Sequence, residues 1–393
     1  MISNLMTSEV EHEVIESNIL AQFGGSIPGP TVIVIGGIHG NEKAGIKALI
    51  KITKVLKDKA IEVKGNFFAL YGNIHALKKN IRYNEVDLNR IWNAQHIARL
   101  KASDTDLLNY DVQEQKKLYH IIKEILENNE GPFYFFDLHT TSSDTIPFIT
   151  ISDSLNNRKF AAHFTVPVVL GIEEYIEGPL LTYINEFGHI ALGFEGGQHD
   201  SELAVRNCEA FVWLALKASG ALTKGQIQNY DTYRKLLKNS KKEQHFYEID
   251  YRYAIGKNED YKMHNGFLNF EKIRKDQLLG YSNSEEVRAT MKGKIFMPLY
   301  QKQGEDGFFI IRRISKFWLE LSRIARKLKL HNFLRLLPGI QQDKKDPYTL
   351  IVNESTAAFL ATEIFHLFGY RKRVLKKDKL YFTKRDRKVS GFI

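Results

Sequence analysis

The chain has 393 residues and a net charge of +10, with 56 Lys and Arg against 46 Asp and Glu. Hydrophobic residues make up 43% and charged residues 26% of the sequence. That composition is typical of a folded globular protein and excludes a largely disordered one, and the length predicts two or three folded units. Cys208 is the only cysteine, so an intramolecular disulfide and a zinc site built from thiolates are both excluded.

The first residues of the chain show no basic segment followed by an apolar one. No uninterrupted apolar stretch reaches the length of about 18 residues that a membrane-spanning helix needs. We therefore expect neither a secretory signal nor a membrane span, and we predict a cytoplasmic protein.

Short apolar strands alternate with helical segments through the first half of the chain. The predicted strands lie near 31–36, 65–71, 133–138, 146–151, 166–170 and 190–195, and the predicted helices at 42–58, 110–128 and 201–219. This alternation is typical of an α/β fold with a mostly parallel or mixed sheet flanked by helices. We assign it to a first domain, 1–237, in which Glu42 occupies the first turn of its helix.

Metal-ligating residue types follow three of the predicted strands. His39 and Glu42 come after the first strand, His139 after the strand at 133–138, and Glu195 after the strand at 190–195. A single His at such a place is more often structural, but strand ends of an α/β sheet are where ligands bind, and two His with one Glu form a known catalytic zinc set. The pattern therefore predicts a metal-dependent hydrolase.

His199 is a weaker candidate ligand, because Gly196 and Gly197 favour a turn over the helix that would align it with Glu195.

A polar segment between the candidate ligands carries two arginines, Arg82 and Arg90. Arginine is usually a surface residue. Arg90, however, ends the segment Asp87-Leu-Asn-Arg between apolar residues, and its planar guanidinium suits a carboxylate. We therefore predict that Arg90 binds substrate.

The composition changes after residue 237. A polar linker at 238–244 precedes a segment of short alternating strands and regularly spaced glycines, which predicts a small β-barrel or sandwich domain at 245–312.

The remainder, 313–393, is a basic, partly helical C-terminal extension, with a basic amphipathic helix that ends at Pro338-Gly339 and a second helix at 355–368. Residues 312–393 contain 20 Lys and Arg against 7 Asp and Glu, so this part carries a net charge of +13 and the rest of the chain a net charge of −3. We expect a solvated basic surface, with contact to nucleic acid or an anionic membrane as the less favoured alternative.

Four motifs in order resemble those of the succinylglutamate desuccinylase and aspartoacylase family, a branch of the zinc carboxypeptidase-like hydrolases. They are His39-Gly-Asn-Glu42, Asp87-Leu-Asn-Arg90, Asp137-Leu-His139 and Phe194-Glu195-Gly-Gly. The resemblance covers residues 30–312 and implies a zinc carboxypeptidase-like fold; it does not extend to the basic tail.

The resemblance also implies a role for each motif residue. His39, Glu42 and His139 would hold one Zn²⁺ per chain, and Glu195 would be the general base. Arg82, Asn89 and Arg90 would bind the substrate, and Asp137 would orient a ligand. The chain departs from the family where Thr140 follows His139, since aspartoacylases typically place Asn there. The family's late tyrosine has two candidates, Tyr281 and Tyr300.

The predicted activity is hydrolysis of the amide bond of a small, carboxylate-bearing N-acyl amino acid. Two alternatives stay open at this point. One is a metallocarboxypeptidase or amidase that acts on peptides, which an open groove beside the second domain would favour. The other is a non-catalytic protein that binds nucleic acid or membrane through its basic tail. Homo-oligomerisation is also left open.

Overall fold

A computed structural model describes residues 17–102, 109–238, 245–353, 362–376 and 379–387. The predicted linker at 238–244 and the first part of the predicted helix at 355–368 lie largely outside these ranges. Among the described residues, no helix has both the length and the apolar composition needed to cross a bilayer.

The strands, numbered in chain order, are β1 (Ile19–Gly24), β2 (Thr31–Gly36), β3 (Asn66–Tyr71), β4 (Phe133–Thr141), β5 (Phe148–Ile151), β6 (Val168–Leu170), β7 (Ile190–Gln198), β8 (Phe246–Ala254), β9 (Tyr261–Met263), β10 (Lys272–Ile273), β11 (Leu278–Ser282), β12 (Glu285–Arg288), β13 (Gly293–Phe296), β14 (Asp306–Arg313), β15 (Ile340–Gln342), β16 (Thr349–Asn353), β17 (Tyr370–Lys376) and β18 (Lys379–Lys384).

The α-helices are α1 (Ala44–Asp58), α2 (Ile74–Lys79), α3 (Ala94–Lys101), α4 (Tyr110–Asn128), α5 (Leu155–Ala161), α6 (Leu180–Glu186), α7 (Glu202–Ser219), α8 (Tyr230–Leu236), α9 (Lys316–Lys327) and α10 (Thr362–Leu367). Short 3-10 helices occur at Leu88–Arg90, Ile172–Glu174, Lys224–Gln226 and Leu330–Leu336.

Eleven strands form one mixed sheet in the order β1-β3-β2-β4-β7-β5-β6-β8-β14-β13-β10. The central strands β3, β2, β4 and β7 are parallel to one another, and β1 and β5 run antiparallel to their neighbours β3 and β7. Six of the strands were predicted from sequence, and their ends differ from the prediction by at most three residues. The predicted α/β class is therefore confirmed.

The central parallel strands of the sheet are buried on both faces, as is usual for parallel strands. Alternate residues of β2 show the two layers: Val32 and Val34 pack into a core that includes α1 and α7, whereas Ile33 and Ile35 pack into a core that includes α4 and α6. The near-continuous apolar run of β2 is thus explained by helices on both sides of it.

The β-rich segment at 245–312 does not close on itself. Its strands β8, β14, β13 and β10 extend the large sheet, and β12, β11 and β9 form a separate three-stranded sheet. Met263 and Leu279 of the small sheet share a core with Ile295, Phe308 and Ile310 of the large one. The two sheets thus form a layered, sandwich-like unit that is continuous with the first domain, and the domain boundaries at 237 and 245 stay a prediction.

The C-terminal extension contains more strand than the sequence indicated. The predicted amphipathic helix ends earlier, at Lys327, and a 3-10 helix follows after Lys329, whose backbone is left-handed (φ 54°). Strands β15, β16, β18 and β17 then form a four-stranded antiparallel sheet, with Leu350 and Phe382 in its core. These strands have no clear apolar alternation, because β15 has only three residues and β17 and β18 carry several Lys and Arg, which is why they were not predicted.

Candidate active site

Three neighbouring parallel strands deliver the predicted ligands to one edge of the sheet. His39 and Glu42 follow β2, while His139 and Glu195 lie in β4 and β7, where they are direct register partners. All four side chains are buried. Two local expectations were wrong: α1 begins at Ala44, so Glu42 lies in the loop before it, and β7 continues through Gly196 and Gly197 to Gln198.

His39, Glu42 and His139 form a compact cluster. One candidate ligand atom from each residue lies within 4.8 Å of the others. Nδ1 of His39 is 2.8 Å from Oε1 of Glu42, and Nδ1 of His139 is 3.0 Å from Oε2 of the same carboxylate. The backbone N–H of Thr140 also donates to Oε2 of Glu42 at 2.9 Å.

A second pair of carboxylates fixes the two imidazole rings. Nε2 of His39 lies 3.1 Å from Oδ1 of Asp87, and Nε2 of His139 lies 2.7 Å from Oδ2 of Asp137. We assign the proton of each neutral ring to Nε2, where it is donated to Asp87 or Asp137, which leaves each Nδ1 directed at Glu42. Carboxylate partners of this kind orient histidine ligands of zinc and raise their basicity.

The donor set fits a divalent cation. The four ring nitrogens of His39 and His139 each contact a carboxylate. Without a metal ion, both rings would have to be doubly protonated to donate in all four contacts, which places two extra protons in a buried cluster. One divalent cation held by His39, Glu42 and His139 would substitute for those protons. Two imidazoles and one carboxylate are also the ligand types that zinc accepts at catalytic sites.

The charges of the cluster are mutually dependent. Burial raises the pKa of Glu42, but the His39 and His139 rings outweigh it and hold that pKa well below its ordinary value. Burial lowers the pKa of His139, yet Asp137 and Glu42 hold it well above the ordinary value. Both shifts favour an anionic ligand beside cationic or metal-bound rings.

Glu195 lies beside this cluster and is held differently. Burial raises its pKa to about 8, and His139 opposes that rise. Its Oε2 atom is buried without a hydrogen-bond partner among the described residues. A carboxyl group that gains and loses a proton near neutral pH, with one oxygen uncommitted, is suited to general acid–base chemistry.

The three predicted substrate-binding residues all line the same pocket. Arg82 donates to Oε1 of Glu42 at 3.3 Å and to Oδ2 of Asp87 at 3.1 Å. Nη2 of Arg90 donates to Oδ2 of Asp306 at 2.9 Å, and Oδ1 of Asn89 accepts the Leu180 N–H at 2.9 Å. Both arginines therefore already contact protein carboxylates, and their binding of substrate stays a prediction.

Sequence reasoning gave no role to two carboxylates that the structure brings to the site. Asp87 contacts His39 and Arg82, and Asp306, at the start of β14, contacts Arg90 and Arg252. Asp87 belongs to the Asp87-Leu-Asn-Arg90 motif, so the sequence did indicate that it lies near the site. Asp306 is separated from Arg90 by 216 residues, and no local pattern connects them.

The other candidates lie elsewhere. Tyr281 and Tyr300 are not among the residues that line the pocket, and the Tyr300 hydroxyl donates to the His264 carbonyl oxygen at 3.0 Å. His199, the weaker candidate ligand, contacts the Thr140 hydroxyl at 2.7 Å and Gln301 at 3.2 Å. The cluster of candidate metal ligands does not include it.

Comparison with known proteins gives consistent matches. Residues 28–209 match the model of the succinylglutamate desuccinylase/aspartoacylase catalytic domain. A probable aspartoacylase of Acaryochloris marina is 31% identical over 138 residues, which span 34% of this chain and 43% of that protein. The aspartoacylase of Rattus norvegicus is 29% identical over 133 residues, which span 32% and 39% of the two chains. The chain thus matches less than half the length of these curated relatives.

Solved structures share the fold over a longer range. The succinylglutamate desuccinylase of Vibrio parahaemolyticus has a TM-score of 0.55 at 15% identity and covers 79% of this chain and 95% of its own. A succinylglutamate desuccinylase/aspartoacylase of Rhodobacter sphaeroides has a TM-score of 0.53 at 16% identity, with 74% and 87% covered.

Proposed function

Because the chain belongs to the succinylglutamate desuccinylase/aspartoacylase family, we propose that it is a zinc-dependent hydrolase. Its reaction would be cleavage of the amide bond of a small, carboxylate-bearing N-acyl amino acid. The observation that carries this proposal is the buried cluster of His39, Glu42 and His139 with the uncommitted carboxyl of Glu195 beside it.

The chemistry divides between the metal and the chain. Zinc, when bound, polarises a carbonyl and lowers the pKa of water toward about 7. Glu195 takes a proton from the attacking water and passes it to the leaving amine nitrogen, a role worth on the order of 10²–10⁴ in rate. Asp87 and Asp137 hold the two rings in one tautomer, so that the chain presents both Nδ1 atoms together.

The shape of the pocket supports a small substrate. The pocket has a volume of about 130 Å³, and the β-rich segment supplies part of its wall through Met297, Pro298, Leu299 and Phe309. A wall over the metal cluster favours a small molecule over a peptide, which needs an open groove. Arg90 and Asn89 also line this pocket and offer donors for a substrate carboxylate.

The first experiment measures the metal content of the purified full-length protein and of His139→Ala, by elemental mass spectrometry after dialysis. We expect about one zinc per wild-type chain and a loss of most of it in His139→Ala, since one of three protein ligands is removed. A wild-type protein that takes up no zinc after reconstitution would exclude the proposed metal centre.

The second experiment compares wild type with Glu195→Gln on a panel of N-acyl amino acids and short peptides. We expect Glu195→Gln to retain its zinc and to lose about 10²–10⁴ in turnover, because the amide is similar in shape but cannot carry the proton. An active Glu195→Gln variant would remove Glu195 from the mechanism. Turnover of peptides in preference to N-acyl amino acids would contradict the assigned substrate class.

A further inference from the structure

The exposed apolar side chains in the described part of the chain are concentrated in one short region. Of the 14 large apolar residues that are exposed among the described residues, seven lie between residues 317 and 337. Leu328, Phe333 and Leu336 are 65%, 64% and 78% exposed. Scattered exposed apolar residues are normal, but a contiguous group usually marks an interaction site.

The group forms a stripe on the outer side of α9. Phe317, Ile324 and Leu328 are spaced at i, i+7 and i+11, with half-buried Leu321 at i+4, so they lie on one face of the helix. Phe333 and Leu336 continue the exposed apolar surface in the 3-10 helix that follows. We call the surface of these six residues the apolar face.

The opposite side of α9 is already used. Ser322 and Arg326 are buried, and Arg326 donates to the backbone carbonyl and the carboxylate of Asp153, both at 2.8 Å. Leu319 packs against the large core and Ala325 is buried, so this side of α9 is anchored by both polar and apolar contacts. A helix docked only for stability would not leave a second apolar stripe exposed.

Exposed basic residues alternate in sequence with those of the apolar face. They are Lys316, Lys327, Lys329 and Arg335, and the acidic residue of this helix, Glu320, is paired with Arg323. Apolar side chains bordered by Lys and Arg are typical of helices that lie in the interface of an anionic bilayer. In a symmetric contact between two copies the same cations would face one another, which opposes self-association. Four of the six side chains of the apolar face are aliphatic and cannot stack on bases, which disfavours nucleic acid.

We propose that the apolar face binds the surface of an anionic lipid bilayer. The aromatic and aliphatic side chains enter the headgroup region, and the exposed Lys and Arg side chains contact lipid phosphates. The active-site pocket shares none of these residues, so the proposal does not depend on the hydrolase activity.

The test is flotation of the full-length protein with vesicles of phosphatidylcholine, with and without phosphatidylglycerol. We expect binding only when phosphatidylglycerol is present, weakened by added salt. The double variant Leu328→Gln/Leu336→Gln should bind about tenfold more weakly. The matched control is Leu203→Gln/Leu268→Gln, because these leucines are 53% and 52% exposed but lie away from the apolar face; it should bind like wild type.

Tryptophan fluorescence gives an independent signal. Trp92 and Trp213 are buried, whereas Trp318, whose ring lies 5.4 Å from that of Phe317, is 54% exposed. We expect anionic vesicles to shift the emission to shorter wavelength in wild type and not in Trp318→Phe.

Three results would overturn the proposal. The first is equal or absent binding to both kinds of vesicle. The second is a wild-type dimer in sedimentation that Leu328→Gln/Leu336→Gln dissociates, since this would assign the face to a second copy. The third is DNA binding that the double variant weakens while vesicle binding stays unchanged.

Discussion

The side chain of Asp87 connects three parts of the site. One oxygen accepts from the His39 ring, and the other accepts from Arg82. The backbone N–H of Asn89 also donates to its Oδ1 at 2.8 Å. Burial raises the pKa of Asp87, but His39, Arg82 and Arg90 outweigh it and hold the pKa well below the ordinary value. Asp87 thus stays ionised and holds His39 in the tautomer that a metal requires.

We predict that Asp87→Asn weakens zinc binding by about 10- to 100-fold, because the amide cannot hold the His39 ring in the same way. The measurement is competition for zinc against a chelating dye. Asp58→Asn is the control, since the Asp58 side chain is 55% exposed and pairs with Lys54 on the surface. Unchanged zinc affinity in a folded Asp87→Asn protein would show that Asp87 does not orient the ligand.

The two pocket arginines should differ in what they control. Arg82 contacts the candidate ligand Glu42, whereas Arg90 contacts Asp306 on the pocket wall. We expect Arg90→Ala to raise KM about tenfold, the effect of losing one charged hydrogen bond, and to leave the zinc content unchanged. Arg90→Lys should restore the wild-type KM only in part. Arg82→Ala should also weaken zinc binding. Steady-state kinetics with zinc analysis tests this, and a loss of zinc in Arg90→Ala would contradict the division of roles.

At the scale of elements, the position of the site depends on close packing between a loop and a helix. Gly40 lies between His39 and Asn41, and a Cβ atom at this position would overlap the backbone of Ala76 and Leu77 in α2. Its N–H also donates to the carbonyl of Arg82 at 3.2 Å. The glycine is therefore required by the approach of α2 to the loop that carries His39 and Glu42.

We predict that Gly40→Ala destabilises the fold by about 1–3 kcal/mol, the usual cost of forcing extra volume into a packed site. The displaced loop should also weaken zinc binding. Gly225→Ala is the control, because no atom lies within 4 Å of a Cβ there. Urea unfolding and zinc titration of both variants measure the two effects, and equal stability of the two variants would contradict the argument.

The sequence predicted elements better than it predicted the contacts between distant ones. Strands β2, β4 and β7 are buried on both faces, so each contains an apolar run that is visible in the sequence. The polar residues that follow or end these runs led to His39, His139 and Glu195. The edge strands of the C-terminal sheet are weak in sequence, because β15 has only three residues and β17 is rich in Lys and Arg, so neither shows the alternation that predicts a strand. Contacts such as Arg90 with Asp306 arise only once β14 has joined the large sheet, so no spacing in the sequence reveals them.

At the scale of the whole molecule, the basic extension is joined to acidic residues of the α/β part, the described residues before 237. Arg326 and Arg385 both contact Asp153, and Arg385 also contacts Glu173 and Glu174. Arg371 pairs with Glu186 at 2.9 Å. The sequence predicted a solvated basic surface, but Arg326, Arg371 and Arg385 are buried in ion pairs. Because a buried charge that loses its partner is costly, these pairs favour one position of the extension.

Asp153 is the centre of this junction and gives a test of it. Its carboxylate is buried and also pairs with Arg158. Burial raises the pKa of Asp153, but Arg158, Arg326 and Arg385 outweigh it and hold the pKa well below the ordinary value. A carboxyl whose pKa is lower in the folded than in the unfolded state stabilises the fold above its unfolded pKa of about 3.9. That stabilisation is lost as the pH falls from there through the folded pKa.

We therefore predict that Asp153→Asn lowers the free energy of unfolding by about 3–5 kcal/mol near pH 7, because it leaves buried guanidinium groups without their shared anion. The difference from wild type should shrink below about pH 4, where the wild-type carboxylate begins to protonate on unfolding. Urea unfolding at several pH values measures it. Asp231→Asn, which removes an exposed pair with Lys224, should change stability by less than about 1 kcal/mol at every pH. If the difference in unfolding free energy between wild type and Asp153→Asn stays constant down to low pH, the charge of Asp153 does not hold the extension to the α/β part.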